Sequence, residues 1–268
     1  MNGRAIRLLD WLAVEFVRSG WDIKQMMRLL VTSATYQQDS AFREEFVLDD
    51  PENRLLARGP RFRMDAEMLR DQALAISGLL VRHNGGPAVF PYQPEGIWEA
   101  VSYDGERTYQ QSVGASLYRR SLYTFWKRQS PPPSMLIFDA PTRETCSVSR
   151  SRTNTPLQSL ALMNDPTFVE AARKLAERTM RHDGDQQSRM LWLFQSATSR
   201  IASDGEIAVL VETFSEQRRH FEQRPALAMQ LLSVGDSGFD PSLNVIDLAA
   251  WTTIASLVMG LDETVTKP

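Results

Sequence analysis

The chain has 268 residues, 43% of them apolar and 24% charged, and a formal net charge of −3. That balance belongs to a globular chain able to bury a core of ordinary size, and it excludes a disordered tail or a low-complexity fibre. A mildly acidic whole has no general attraction for nucleic acid or anionic lipid, and a single cysteine, Cys146, excludes an internal disulfide or a thiolate cluster within the chain.

The opening stretch MNGRAIRLLDWLAVEFVRSG is a poor secretion signal, because Asp10 and Glu15 interrupt its apolar run and no small-residue cleavage site follows. Its spacing instead predicts a helix over 4–18, with Ile6, Leu9, Ala13, Phe16 and Val17 on one face and Gly20 as the stop. Asp22 caps a second helix that turns Ile23, Met26, Met27 and Leu30 inward. A polar stretch follows, and Asp50–Pro51 starts another turn. Residues 65–82 predict a helix with Leu69, Ala73, Ile76 and Leu80 inward, ended by Asn84–Gly85–Gly86.

From 85 the helical period fails. GGPAVFPYQPEG and SYDGERTYQQSVGA predict a long ordered loop packed by its aromatic rings. Residues 117–128 favour a strand by their β-branched and aromatic content, and SPPPS at 130–134 an extended, stiff segment.

Helices return at Thr155-Pro156-Leu157-Gln158, a capping box with proline in the first turn. Asp165–Pro166 opens the next, with Phe168, Ala172, Leu175 and Thr179 inward, and another spans 186–200 around Met190, Leu191 and Phe194. Ser203-Asp204-Gly205-Glu206 is a second capping box, opening a long helix through Ile207, Leu210, Val211, Phe214 and Phe221. Helices at about 225–234 and 241–260 complete the chain, the last begun by Asp240–Pro241. No segment is apolar for long enough to cross a bilayer, so no membrane insertion is expected. The fold class is therefore mainly α: a multi-helix domain with one irregular, loop-rich middle carrying a small β element. The expected organisation is one domain over 1–268, made of N-terminal helices (1–84), a loop and small β insertion (85–154) and a C-terminal helical part (155–268).

The chemistry concentrates before Thr155. Between 117 and 152 seven basic side chains face two acids, Asp139 and Glu144, and aromatic residues are interleaved with them. Arg120, Arg143, Arg150, Arg152, Asn154 and Trp126 are the candidate anion or ligand site, since arginine forks, a nearby helix N-terminus and an aromatic face suit anionic or sugar ligands. The alternative is a brace in which these arginines pair with Asp139, Glu144 and nearby carbonyls. A second cluster, Arg61, Arg63, Asp65, Glu67, Arg70 and Asp71, alternates in sign as a self-paired helix face does. His83, His182 and His220 lack metal-ligand spacing, so no metal site is expected, and no CxxCH, P-loop, G-x-S-x-G or G-x-G-x-x-G occurs. No catalytic residue is named by these patterns.

Four long strings, LLDWLAVEFVRSGWDIKQMMRLLVTSATYQQ, NRLLARGPRFRMDAEMLRDQALAISGLL, YRRSLYTFWKRQSPPPSMLIFDAPTRETCSV and RTNTPLQSLALMNDPTFVEAARKLAER, resemble the planctomycete-specific C-terminal domain of unknown function found in planctomycete cytochrome C-type proteins. The resemblance implies a parent protein exported to the periplasm or cell surface, with haem C carried by a neighbouring domain and no cofactor in this chain. Relatives have a further helical stretch before LLDWLA, so the resemblance also implies an N-terminally truncated fragment. Two functions fit. One is a helical module that binds or scaffolds sister domains of the parent protein, with an anionic polysaccharide as a second candidate partner. The other is a catalytic domain acting on polysaccharide or a related substrate, coupled to the haem domain. A shallow groove or apolar patch would favour the module, and a deep pocket with convergent carboxylates the enzyme. Nucleic-acid binding through 117–152 fits the acidic whole poorly, and no nucleic-acid partner is expected.

Overall fold

A computed structural model describes residues 3–40, 50–103 and 108–267; the polar stretch expected before Asp50 falls largely, and the loop expected after Ser102 partly, outside them. The chain forms two compact units, residues 1–62 and 63–267. Among the described residues there are twelve α-helices and one small two-stranded sheet, so the fold is mainly α.

In the first unit α1 (Gly3–Arg18) and α2 (Ile23–Val31) form where their period predicts. The turn between them places Gly20 and Trp21 at positive φ, and the Asp22 side chain accepts from the Gln25 N–H at 3.0 Å. Asp50 starts its turn as expected, accepting from the Arg54 and Leu55 N–H groups at 2.9 and 2.6 Å. The expected burial does not follow. Ile6, Leu9, Val17, Ile23, Met27 and Leu30 are all exposed, and no apolar side chain among the described residues of this unit is buried.

The second unit is built on two helices, α7 (Pro166–Arg181) and α11 (Val245–Met259), packed along their lengths. Ala171, Ala172 and Ala176 meet Ala249, Ala250 and Ala255 in one core, all inaccessible to solvent, and small side chains let two backbones approach closely. Around this pair lie α3 (Ala66–Ser77), α8 (Gln186–Thr198), α9 (Asp204–Gln223) and α10 (Pro225–Leu232). The shorter α4 (Ile97–Ala100), α5 (Pro133–Ile137), α6 (Pro156–Asn164) and α12 (Asp262–Val265) complete the helical set. A two-stranded sheet pairs β1 (Phe62–Arg63) with β2 (Thr266–Lys267), and the irregular middle contributes isolated bridges instead of strands.

Several local expectations are corrected. Helix α3 stops at Ser77 because Gly78 turns left-handed at φ 83°, so Leu80 lies beyond the helix and Val81 bridges Arg119. Residues 117–128 are not a strand: they wind through two 3₁₀ turns, and the buried Arg70 takes the Leu117 and Arg119 carbonyls at 2.7 and 2.9 Å. Carbonyls held by a guanidinium are withdrawn from any ladder. The proline run becomes the start of α5, with Pro132 at its N-cap and Pro133 as its first residue. At α6 only half of the capping box forms. Thr155 caps Gln158, but the Gln158 amide donates to the Ile137 carbonyl and the Thr153 hydroxyl. The last long helix is capped by Asn244, because Asp240 is occupied by the Ser242 N–H and hydroxyl and by Arg181. The capping box at Ser203–Glu206 forms in full, and the loop does pack by its rings, Phe90, Trp98, Tyr109 and Phe125 meeting at 5.0 to 6.2 Å.

Candidate functional site

Of the residues that stand out in sequence before Thr155, Trp126, Arg143, Arg150 and Asn154 are brought together, with the second charged cluster as their partner. Arg150 sets its fork on Glu67 at 2.7 and 3.4 Å and reaches Asp65 at 3.5 Å. Arg143 lies 3.8 Å from Glu67 and 4.3 Å above the Trp126 ring, whose N–H donates to the Thr142 carbonyl. Asn154 accepts from Arg63 at 3.1 Å. Burial works to raise the Glu67 carboxyl, but the Arg150 fork and the charge of Arg143 outweigh it and hold the group below its ordinary value. The partners of Arg143 and Arg150 are thus Glu67 and Asp65, not Asp139 and Glu144. Asp139 accepts instead from the Thr153 N–H and hydroxyl, at 2.7 and 2.8 Å. The second cluster is self-paired at Arg70 and Asp71, 4.0 Å apart, but Arg70 also points inward to loop carbonyls, and Asp71 accepts from the Ser121 N–H at 2.7 Å. Arg152 borders a gap of only about 10 Å³ beside Asp139 and Gln158, room for one water and no larger ligand. Arg120 is exposed and makes none of these contacts.

An apolar recess lies elsewhere, a half-open groove of about 470 Å³ between α5, α6, the start of α7 and the 92–94 loop. Ile137, Leu157, Leu160 and Ala161 give it an apolar wall, while Gln93, Gln111 and Asn164 supply amides. The Gln93 amide nitrogen is buried without an acceptor. Asp165 is the one carboxylate in the lining; it caps α7 through the Thr167 N–H at 2.9 Å, and burial raises its carboxyl above the ordinary value.

Tyr92 connects this groove to a closed polar hub. Its hydroxyl donates to Glu170 at 2.8 Å and accepts from the Asp236 N–H at 2.6 Å. The other Glu170 oxygen receives Tyr118 at 2.8 Å and the Ser237 N–H and hydroxyl at 2.7 and 2.6 Å. Arg173 stands 3.5 Å away, and both ends of that pair are 1% exposed. Burial, reinforced by the bond to Glu170, pushes the Tyr92 and Tyr118 phenols above their usual range. The loop can pass this close because Gly235 adopts φ 93°, and a Cβ there would collide with the Glu170 carboxyl. Sequence reasoning placed only Phe168, Ala172, Leu175 and Thr179 inward on this helix. A signal was available: Glu170, Arg173 and Glu177 are spaced three and four apart, as one helical face requires.

With the geometry in place, a family model described as PSD1, a protein of unknown function (DUF1553), matches residues 4–214. The chain belongs to this family. It is the family that the four strings resemble. In this PSD1 chain the brace, the groove and Glu170 all lie inside the matched span, while α10, α11 and α12 follow it. No curated protein and no solved structure matches the chain. Among the described residues no helix is long and apolar enough to cross a membrane, and no three His, Cys, Asp or Glu side chains are grouped to hold a metal ion.

Proposed function

We propose that this PSD1 chain is a non-catalytic binding module that seats an extended, apolar segment of a sister domain in the groove between α5 and α6. The observation that carries this reading is a groove whose apolar wall runs out to Leu157 and Leu160, each more than half exposed, with one carboxylate in its lining. Exposed leucines at the mouth of a recess suit a partner's apolar side chains, and the unsatisfied Gln93 amide suits a carbonyl of its backbone. On this reading the parent protein is exported and cytochrome-C-associated, the haem belongs to a neighbouring domain, and this chain binds no cofactor of its own. The test is calorimetric titration of the chain with the separately expressed cytochrome-type domain. Binding that weakens at least tenfold in Leu160→Asp supports the proposal; equal binding by wild type and variant, or no binding, overturns it.

One observation favours the catalytic alternative. The Asp165 carboxyl, raised by burial at the groove, has the property a general acid needs. Sugar release from a polysaccharide that vanishes in Asp165→Asn, with the variant still folded, would replace the module by an enzyme.

A further inference from the structure

A second groove of about 510 Å³ opens between α8, α9 and α11, and its chemistry is the reverse of the first. Arg189, Arg218 and Arg219 line it from two helices, together with the carboxylates of Glu222 and Asp247. Both carboxylates are already matched: Arg218 donates to Asp247 at 2.7 Å and lies 3.2 Å from Glu222. Arg189 is anchored by its Nε, which donates to the His182 carbonyl at 3.0 Å, so its two terminal nitrogens remain without an acceptor among the described residues. Arg219 makes no ion pair or hydrogen bond among the described residues. The recess thus holds three guanidiniums against two carboxylates, a local excess of one positive charge, and both acids lie on Arg218, so Arg189 and Arg219 face it with no carboxylate paired to them among the described residues. Like charges gathered in a concave surface repel, and a bound anion relieves that repulsion while accepting from the forks.

We propose that this groove is a binding site for an organic oxyanion carrying hydroxyl groups, such as a sugar acid or sugar phosphate. The forks of Arg189 and Arg219 hold the charged end, because a guanidinium presents paired N–H donors that match carboxylate and phosphate oxygens. The volume exceeds the need of an inorganic ion. Gln186 and Ser215 line the remainder and offer an amide and a hydroxyl to a polyol. The site is independent of the groove assigned to a sister domain, and either can stand without the other.

The experiment is a low-salt titration of the whole chain with glucuronate, inorganic phosphate and glucose, followed by amide chemical shifts. Saturable shifts at α8 and α9 with one or both anions, none with glucose, and a loss of at least tenfold in affinity in Arg189→Gln and in Arg219→Gln are the expected result. Arg219 holds nothing in the fold, so Arg219→Gln leaves the melting temperature unchanged and isolates the ligand effect. Absence of saturation with both anions, unchanged affinity in Arg219→Gln, or loss of binding in Arg150→Ala instead would overturn the proposal.

Discussion

Helices α1 and α7 have the same length, sixteen residues, and both show a clear helical period, yet their apolar side chains meet opposite fates. In α1, Leu9 is 59% exposed; in α7, Leu175 is wholly buried. Helix α7 is covered around most of its circumference, to the point that Glu170, Arg173 and Glu177 are buried with its alanines. Periodicity therefore reports which face of a helix wants cover, and only neighbouring elements decide whether cover exists. Where several neighbours surround one helix, even its polar face must be satisfied from within.

The largest expected effect would break this contrast at its most enclosed point. Glu170→Ala strands two tyrosine hydroxyls, Ser237 and the buried Arg173, and should cost the second unit about 3–5 kcal/mol in urea unfolding. The contrast is sharpened by a matched pair. Leu175→Ala should cost about 2–5 kcal/mol through the cavity it leaves, whereas Leu9→Ala should stay within about 0.5 kcal/mol. A comparable loss at Leu9 would mean that α1 is covered in solution.

Two smaller effects probe the surface of the second unit. Ser203→Ala removes the cap of α9 and should cost about 1 kcal/mol. The same network sets an acid limb. The Arg200 fork, aided by Ser203, draws the Glu206 carboxyl down from 4.5 to about 2. A carboxylate depressed by folding stabilises above its unfolded value, so this contribution is complete at neutral pH and lost as pH falls from about 4.5 through about 2. Arg200→Ala should flatten that limb in pH-dependent melts. Arg150→Ala is expected to cost about 0.2–1 kcal/mol, because the fork on Glu67 is partly solvated. Its melting temperature should respond to sulfate no differently from wild type.

Much of the local structure was legible because its causes are local. Asp22, Thr155, Asp165 and Ser203 announce their helices within three residues, and each caps as the sequence predicts. The brace was legible as a group but not as a set of pairs, since Arg150 and Glu67 are 83 residues apart and no local rule joins them. Arg70 shows why the strand expected at 117–128 fails: its side chain comes from a distant helix and removes the carbonyls a ladder would use. The groove between α5 and α6 carries no chemical signature, because leucine, proline and alanine are also what an ordinary core contains. Glu170 stayed hidden because a glutamate on an amphipathic helix ordinarily faces water.

The Glu170 hub has a consequence for the order of events in folding and exchange. Its bonds to Tyr118, Ser237 and Tyr92 close spans of 52, 67 and 78 residues onto one carboxylate. Such spans differ little in closure entropy, which rises by about 0.6 kcal/mol for each doubling of length, so none is favoured to form far ahead of the others. A hub assembled from one or two of them would hold a dehydrated charge with too few donors, a state costlier than open or complete. The three segments should therefore behave as a single cooperative unit. Amides around residues 89–92, 117–121 and 235–237, remote from one another along the chain, should exchange with solvent through one shared opening.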